Sequence, residues 1–91
     1  MKLTITDAAV HCFTTEWDFK QGDFVRIFVR YSGGGEDAFA FGIMKADPQD
    51  MSISYESGGI TFFMVDNDTW YLDGKELAID SINDEITFIR N

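Results

Sequence analysis

One small α+β domain, mostly antiparallel sheet with a single N-terminal helix, is expected for these 91 residues. Apolar residues recur at helical spacing only between Asp7 and Phe19, whereas from Phe24 onward the period falls to two. Gly, Asn and Asp pairs then punctuate the chain at short intervals, as they do between hairpin-connected strands. A chain of this length buries only roughly 60–65% of the surface it exposes when unfolded, so its core must be dense. Nine Phe, two Trp and three Tyr supply such a core.

Lys2–Thr6 alternates Leu3 and Ile5 with polar neighbours and reads as a short strand. Thr6 or Asp7 then caps a helix that runs to about Phe19, with Ala9, Val10, Phe13 and Trp17 along its apolar stripe and Gly22-Asp23 at its end. In Phe24–Tyr31 the residues Val25, Ile27, Val29 and Tyr31 share one face, and Phe24, Arg26, Phe28 and Arg30 the other. Only the first set is wholly fit for a core. Ala38–Met44 follows with Phe39, Phe41 and Ile43 on one face and Ala38, Ala40 and Gly42 on the other, small residues that belong beneath another element. A hairpin across Gly33–Asp37 is the natural connection.

Pro48 places residues 46–50 in a loop, since proline cannot donate to a sheet ladder. Next come a strand Ser52–Glu56, a Ser57-Gly58-Gly59 turn and a strand Ile60–Val65. Asp66-Asn67-Asp68 makes a turn before a strand Thr69–Leu72, Asp73-Gly74 signals a hairpin into Glu76–Ile79, and Glu85–Ile89 is the last strand. With no repeat or linker, residues 1–91 form one domain.

Seven basic against sixteen acidic residues leave a net charge of −9, which repels phosphate backbones and anionic lipid headgroups. Nucleic acid and membrane surfaces are therefore not the expected partners, while a basic protein surface is compatible. Cys12 is the only cysteine, which excludes an internal disulfide, a CxxC redox pair and a site built on several thiolates. No signal-peptide or membrane-spanning stretch stands out, so a reducing cytoplasmic setting is expected.

Catalytic constellations are missing from the pattern. His11 and Cys12 are neighbours on a helix and so point in different directions, and His11 is the sole histidine available to any triad. Asp66-Asn67-Asp68 fails as a calcium loop, because Tyr71 stands where glycine is needed and Leu77 where a bidentate glutamate is needed. Arg26 and Arg30 are expected to pair with carboxylates of this acidic chain. Glu36 and Asp37 would repel a phosphate at the glycine loop, and no P-loop lysine follows it. Trp70 and Tyr71, alternating across their strand, would leave one ring buried and the other free to anchor a partner.

Three strings carry a family resemblance: Leu3-Thr4-Ile5-Thr6-Asp7-Ala8-Ala9, the strand and loop Val25–Gly35, and Gly59-Ile60-Thr61-Phe62-Phe63 through Trp70-Tyr71-Leu72-Asp73-Gly74. Together they resemble the HesB-like family, the fold of the A-type iron–sulfur carriers such as IscA, and within it the short YneR-type branch. The resemblance implies a distorted β-barrel or sandwich. In carrier members the loop is similar to Ser32-Gly33-Gly34-Gly35 but has a cysteine where Gly34 stands, and Cys-x-Cys follows the last strand. Here Gly34 offers no sulfur, and the sequence reaches Ile89-Arg90-Asn91 without that pair. Clusters are held chiefly by thiolates, so neither a metal site nor a cofactor is expected.

What the resemblance implies is thus a non-enzymatic relative of the carriers that acts by binding a protein, within iron–sulfur or redox homeostasis. Its interaction loop is expected at Arg30, Tyr31, Ser32, Gly33, Gly34, Gly35, Glu36 and Asp37. The alternative is a small-molecule or anion-binding module in which Arg30, loop amides and aromatic walls form a pocket. A homo-oligomer is compatible with either.

Overall fold

The computed structural model describes residues 2–31 and 39–90. Along the chain run β1 (Leu3–Ile5), α1 (Asp7–Thr15), β2 (Phe24–Tyr31), β3 (Phe39–Lys45), β4 (Ile53–Ser57), β5 (Ile60–Met64), α2 (Asp66–Thr69), a 3-10 turn (Trp70–Leu72), β6 (Leu77–Ile82) and β7 (Glu85–Arg90). The strands form a three-stranded sheet in the order β1-β6-β7 and a four-stranded sheet in the order β3-β2-β5-β4. This is the expected α+β architecture with its N-terminal helix. The sheets are mixed, however: β1 lies parallel to β6 and β2 parallel to β5, because both pairs are joined through long stretches of intervening chain.

Thr6 joins the helix to the smaller sheet. Its hydroxyl accepts the Ala9 N–H at 3.2 Å as an N-cap and donates to the Asp80 carboxylate on β6 at 2.7 Å. The bond from Thr6, with a second from the Ser81 N–H, holds the Asp80 carboxyl below its ordinary value. Helix α1 stops earlier than its periodicity predicts. The Glu16 N–H closes the last turn on Cys12, Asp18 adopts a positive φ of 60°, and the Phe19 N–H returns to the Phe13 carbonyl at 3.0 Å. That reversal stacks Phe19 on Phe13 with ring centroids 5.6 Å apart, so Phe19 joins the core from outside the helix.

The core takes Leu3, Ile5, Leu77 and Ile79 from the small sheet, Val25, Ile27, Ile60 and Phe62 from the large one, and Phe13 from α1. These alternating positions point inward from both sheets, which is what period-two patterning demands of a sandwich. Strand β5 is buried on both faces, Phe62 on one and Phe63 on the other. A two-residue turn at Gly58-Gly59, with φ of 62° and 78°, sets the β4–β5 register Ser57↔Ile60. Only a primed hairpin turn of this kind needs two successive positive φ values. Asn83-Asp84 does the same between β6 and β7, with φ of 54° and 64°, although no glycine advertises it.

Three further expectations are corrected. Thr69–Leu72 is not a strand, because the chain from Asp66 coils through α2 directly into the 3-10 turn. Asp73-Gly74, with φ of 51° and 77°, therefore ends that helical segment instead of closing a hairpin. Tyr31 shares the alternation of Val25 and Ile27 but is exposed, since β2 has outrun the core by that point. As expected, β2 and β3 pair antiparallel from Val25↔Lys45 to Tyr31↔Phe39, and Gly42 lies beneath an aromatic side chain: a Cβ there would collide with the Phe28 ring.

Candidate interaction surface

The surface is assembled by Asp68. Strand β5 pairs with β2 only over Phe24–Arg26, which leaves the Val29 N–H without a strand partner on that side. The buried Asp68 carboxylate takes that place, accepting the Val29 N–H at 3.1 Å on Oδ1 and the Arg26 guanidinium at 2.7 and 3.2 Å on Oδ2. Both oxygens are thereby satisfied, as a buried carboxylate requires. With Asp68 and Thr69 turned inward the segment coils, and the following Trp70 and Tyr71 meet Phe39, which pairs with Tyr31 at the ends of β3 and β2.

Six rings then run in an unbroken series. Tyr31 meets Phe39 at 5.7 Å, Phe39 meets Trp70 edge-on at 5.3 Å, Trp70 meets Tyr71 at 5.5 Å, Tyr71 meets Phe41 at 5.2 Å, and Phe41 stacks on Phe88 at 5.1 Å. The inner rings Phe41 and Phe88 pack against the core, while Tyr31 at 71%, Trp70 at 55% and Phe39 at 37% are open to solvent. Tyr71 is pinned between them: its hydroxyl donates to the Phe39 carbonyl at 3.1 Å, and the Arg90 guanidinium lies 4.5 Å above its ring. Arg90 also donates to the Tyr71 carbonyl at 3.3 Å. Exposed large rings in contact with one another, rather than scattered singly, mark an interaction surface.

Of the eight residues expected to form the interaction loop, Arg30 and Tyr31 are exposed at the end of β2, and Ser32, Gly33, Gly34, Gly35, Glu36 and Asp37 lie outside the described residues. Arg26 pairs with Asp68 as expected of it, whereas Arg30 has no ion pair among the described residues. Arg30 instead borders a cleft of about 630 Å³ between β3 and β7, shared with Trp17, Phe28, Phe41, Phe88 and the carboxylates Asp84 and Glu85. Sequence reasoning missed Phe39, Arg90 and the contact between exposed Trp70 and half-buried Tyr71. The available signal was Asp68 itself, an acid set among turn formers and followed by two large aromatics.

Cys12 is 3% exposed, and its Sγ lies 3.7 Å from the Asp84 carbonyl at the β6–β7 turn. His11, its neighbour, is exposed on another face of α1. Among the described residues no three His, Cys, Asp or Glu side chains converge as metal ligands would. The donor set therefore does not fit an iron–sulfur cluster, which needs several thiolates where this chain has one buried thiol. Among the described residues no helix is long and apolar enough to cross a membrane.

Residues 1–91 match the family described as iron-sulphur cluster biosynthesis. The chain is 38% identical over 81 residues to the pyruvate dehydrogenase inhibitor of Bacillus subtilis, covering 87% of this chain and 85% of that protein. It is 32% identical over 97 residues to an uncharacterized protein of Staphylococcus haemolyticus, covering 97% and 96% of the two. Among solved structures, IscA with its [2Fe-2S] cluster superposes with a TM-score of 0.61 at 17% identity, over 98% of this chain and 83% of that one. Escherichia coli SufA gives 0.61 at 21% identity, over 99% and 79%. At these identities the two structures establish the shared fold.

Proposed function

The chain belongs to the iron-sulphur cluster biosynthesis family, and from that premise we propose that it is a non-enzymatic, protein-binding member of a short, cysteine-poor branch that restrains pyruvate dehydrogenase instead of carrying a cluster. The observation that carries this reading is the exposed aromatic series Tyr31–Phe39–Trp70, backed by half-buried Tyr71, on a scaffold whose one thiol is buried. Large amphipathic rings of this kind dominate binding energy at protein interfaces. The similarity to a pyruvate dehydrogenase inhibitor over most of both chains supports pyruvate dehydrogenase as that partner. A cytoplasmic site of action accords with that partner and with an unpaired cysteine.

The small-molecule alternative has a candidate in the cleft beside Arg30. Its lining sets one cation against the carboxylates Asp84 and Glu85, which gives an anion little net attraction.

The test adds the purified chain to the pyruvate dehydrogenase complex of the same organism. Dose-dependent loss of NADH production together with co-sedimentation is expected. Unchanged activity with no co-sedimentation defeats the proposal, and so does a stable, stoichiometric cluster after anaerobic reconstitution with iron and sulfide.

A further inference from the structure

Resting on that reading of the aromatic surface, we infer that its partner presents an arginine or lysine side chain, which seats on Trp70 between the carboxylates of Asp66 and Asp73. Three observations carry this. First, Trp70 is 55% exposed at the centre of the ring series, with Phe39 and Tyr71 against it, so it offers an aromatic platform held in place from two sides. A tryptophan face is the best aromatic acceptor of a cation.

Second, acids flank Trp70 along the chain. Asp66 stands one helical turn before Trp70, and Asp73, just after it, donates its backbone N–H to the Trp70 carbonyl at 3.2 Å. Both carboxylates are exposed, and neither has an ion-pair partner among the described residues. Their spacing brackets the ring along the chain, and the net charge of −9 adds a long-range pull in the same direction. Third, the same surface already seats a cation on an adjoining ring, where Arg90 covers Tyr71 at 4.5 Å and bonds its carbonyl. Trp70, the more exposed of the two rings, has acids close to it along the chain and, among the described residues, no cation over it.

A neutral apolar partner would use the rings but gain nothing from the two carboxylates. A second copy of this chain would bring the same excess of acid to the contact, so like charges would oppose it. An arginine- or lysine-bearing segment uses rings and acids together.

The test needs no enzyme. A fluorescein-labelled hexa-arginine peptide and its hexa-citrulline counterpart are titrated with the purified chain at low and at physiological salt, and binding is read by fluorescence anisotropy. Hexa-arginine is expected to bind at least tenfold more tightly. Trp70→Ala is expected to weaken it about tenfold, as is Asp66→Asn with Asp73→Asn, which should also flatten the salt dependence. Asparagine tolerates the positive φ of Asp73, so that variant keeps the turn. A charge-matched control, Asp18→Asn with Glu56→Gln, is expected to change affinity less than about twofold at physiological salt, and circular dichroism verifies that each variant folds.

Equal binding of the two peptides, or equal loss in the control and the Asp66/Asp73 variant, overturns the inference. So does a wild-type dimer that Trp70→Ala dissociates. Failure to inhibit pyruvate dehydrogenase while the peptide result holds would instead defeat only the choice of enzyme.

Discussion

Asp68 and Arg26 meet at 2.7 Å across an almost fully buried carboxylate, and the other oxygen of Asp68 completes the hydrogen bonding of β2 at Val29. One side chain thus fixes both the end of the parallel β2–β5 pairing and the position of the aromatic pair that follows it. Removing it strands a guanidinium and a backbone N–H. Asp68→Ala is expected to cost about 3 kcal/mol, read from the urea midpoint, and Asp68→Asn less because it retains the bond to Val29. Equal stability of all three chains would show that the pair does not hold the surface.

Tyr31→Ala, Phe39→Ala and Trp70→Ala each remove exposed ring area with few core contacts. Each is expected to raise the concentration needed for half-inhibition of pyruvate dehydrogenase about tenfold while leaving the thermal midpoint nearly unchanged. Loss of stability in step with inhibition would assign these rings to the fold instead.

Gly42→Ala places a methyl where the Phe28 ring lies. The ring must swing aside, and a loss of about 1–2 kcal/mol is expected. Phe28→Leu is expected to recover part of it, so that in denaturant titrations the double variant is more stable than the sum of the single changes. Strict additivity would mean that the two residues do not compete for space.

Asp80 gives the helix-to-sheet junction an acid dependence. Its carboxyl is held below the ordinary value first by the Thr6 hydroxyl and then by the Ser81 N–H. A depressed folded value means that this contribution is complete above the ordinary carboxylate range and is lost as pH falls through the folded value. Thr6→Val is therefore expected to lower stability at neutral pH and to narrow the difference from wild type as pH falls through the folded value of Asp80. A difference that stays constant down to pH 2 would remove Asp80 from the account.

Cys12 is buried against the β6–β7 turn. A disulfide reagent is expected to modify it slowly in buffer and rapidly in urea, the behaviour of a packed thiol. Fast reaction in the native state would reopen it as a ligand.

Strand periodicity, the cap at Thr6 and the Gly58-Gly59 turn were legible residue by residue, because each depends on neighbours close along the chain. The same local logic failed between Thr69 and Leu72, where aromatic residues favour a strand but a carboxylate four decades of sequence away from its partner coils the segment. It failed again at Tyr31, whose alternation places it on the core face although β2 extends past the core there. Arg26 and Arg30 look equivalent on one strand, yet only Arg26 lies within reach of Asp68.

Read alone, the order of residues determined an acidic α+β chain with a single thiol, and hence one without the donors to hold a cluster, since charge and sulfur content do not depend on folding. Which rings would stand together on the surface was decided only in three dimensions. Phe39, Trp70 and Arg90 come from separate elements, and their meeting depends on where the sheets end and on which buried acid finds its base.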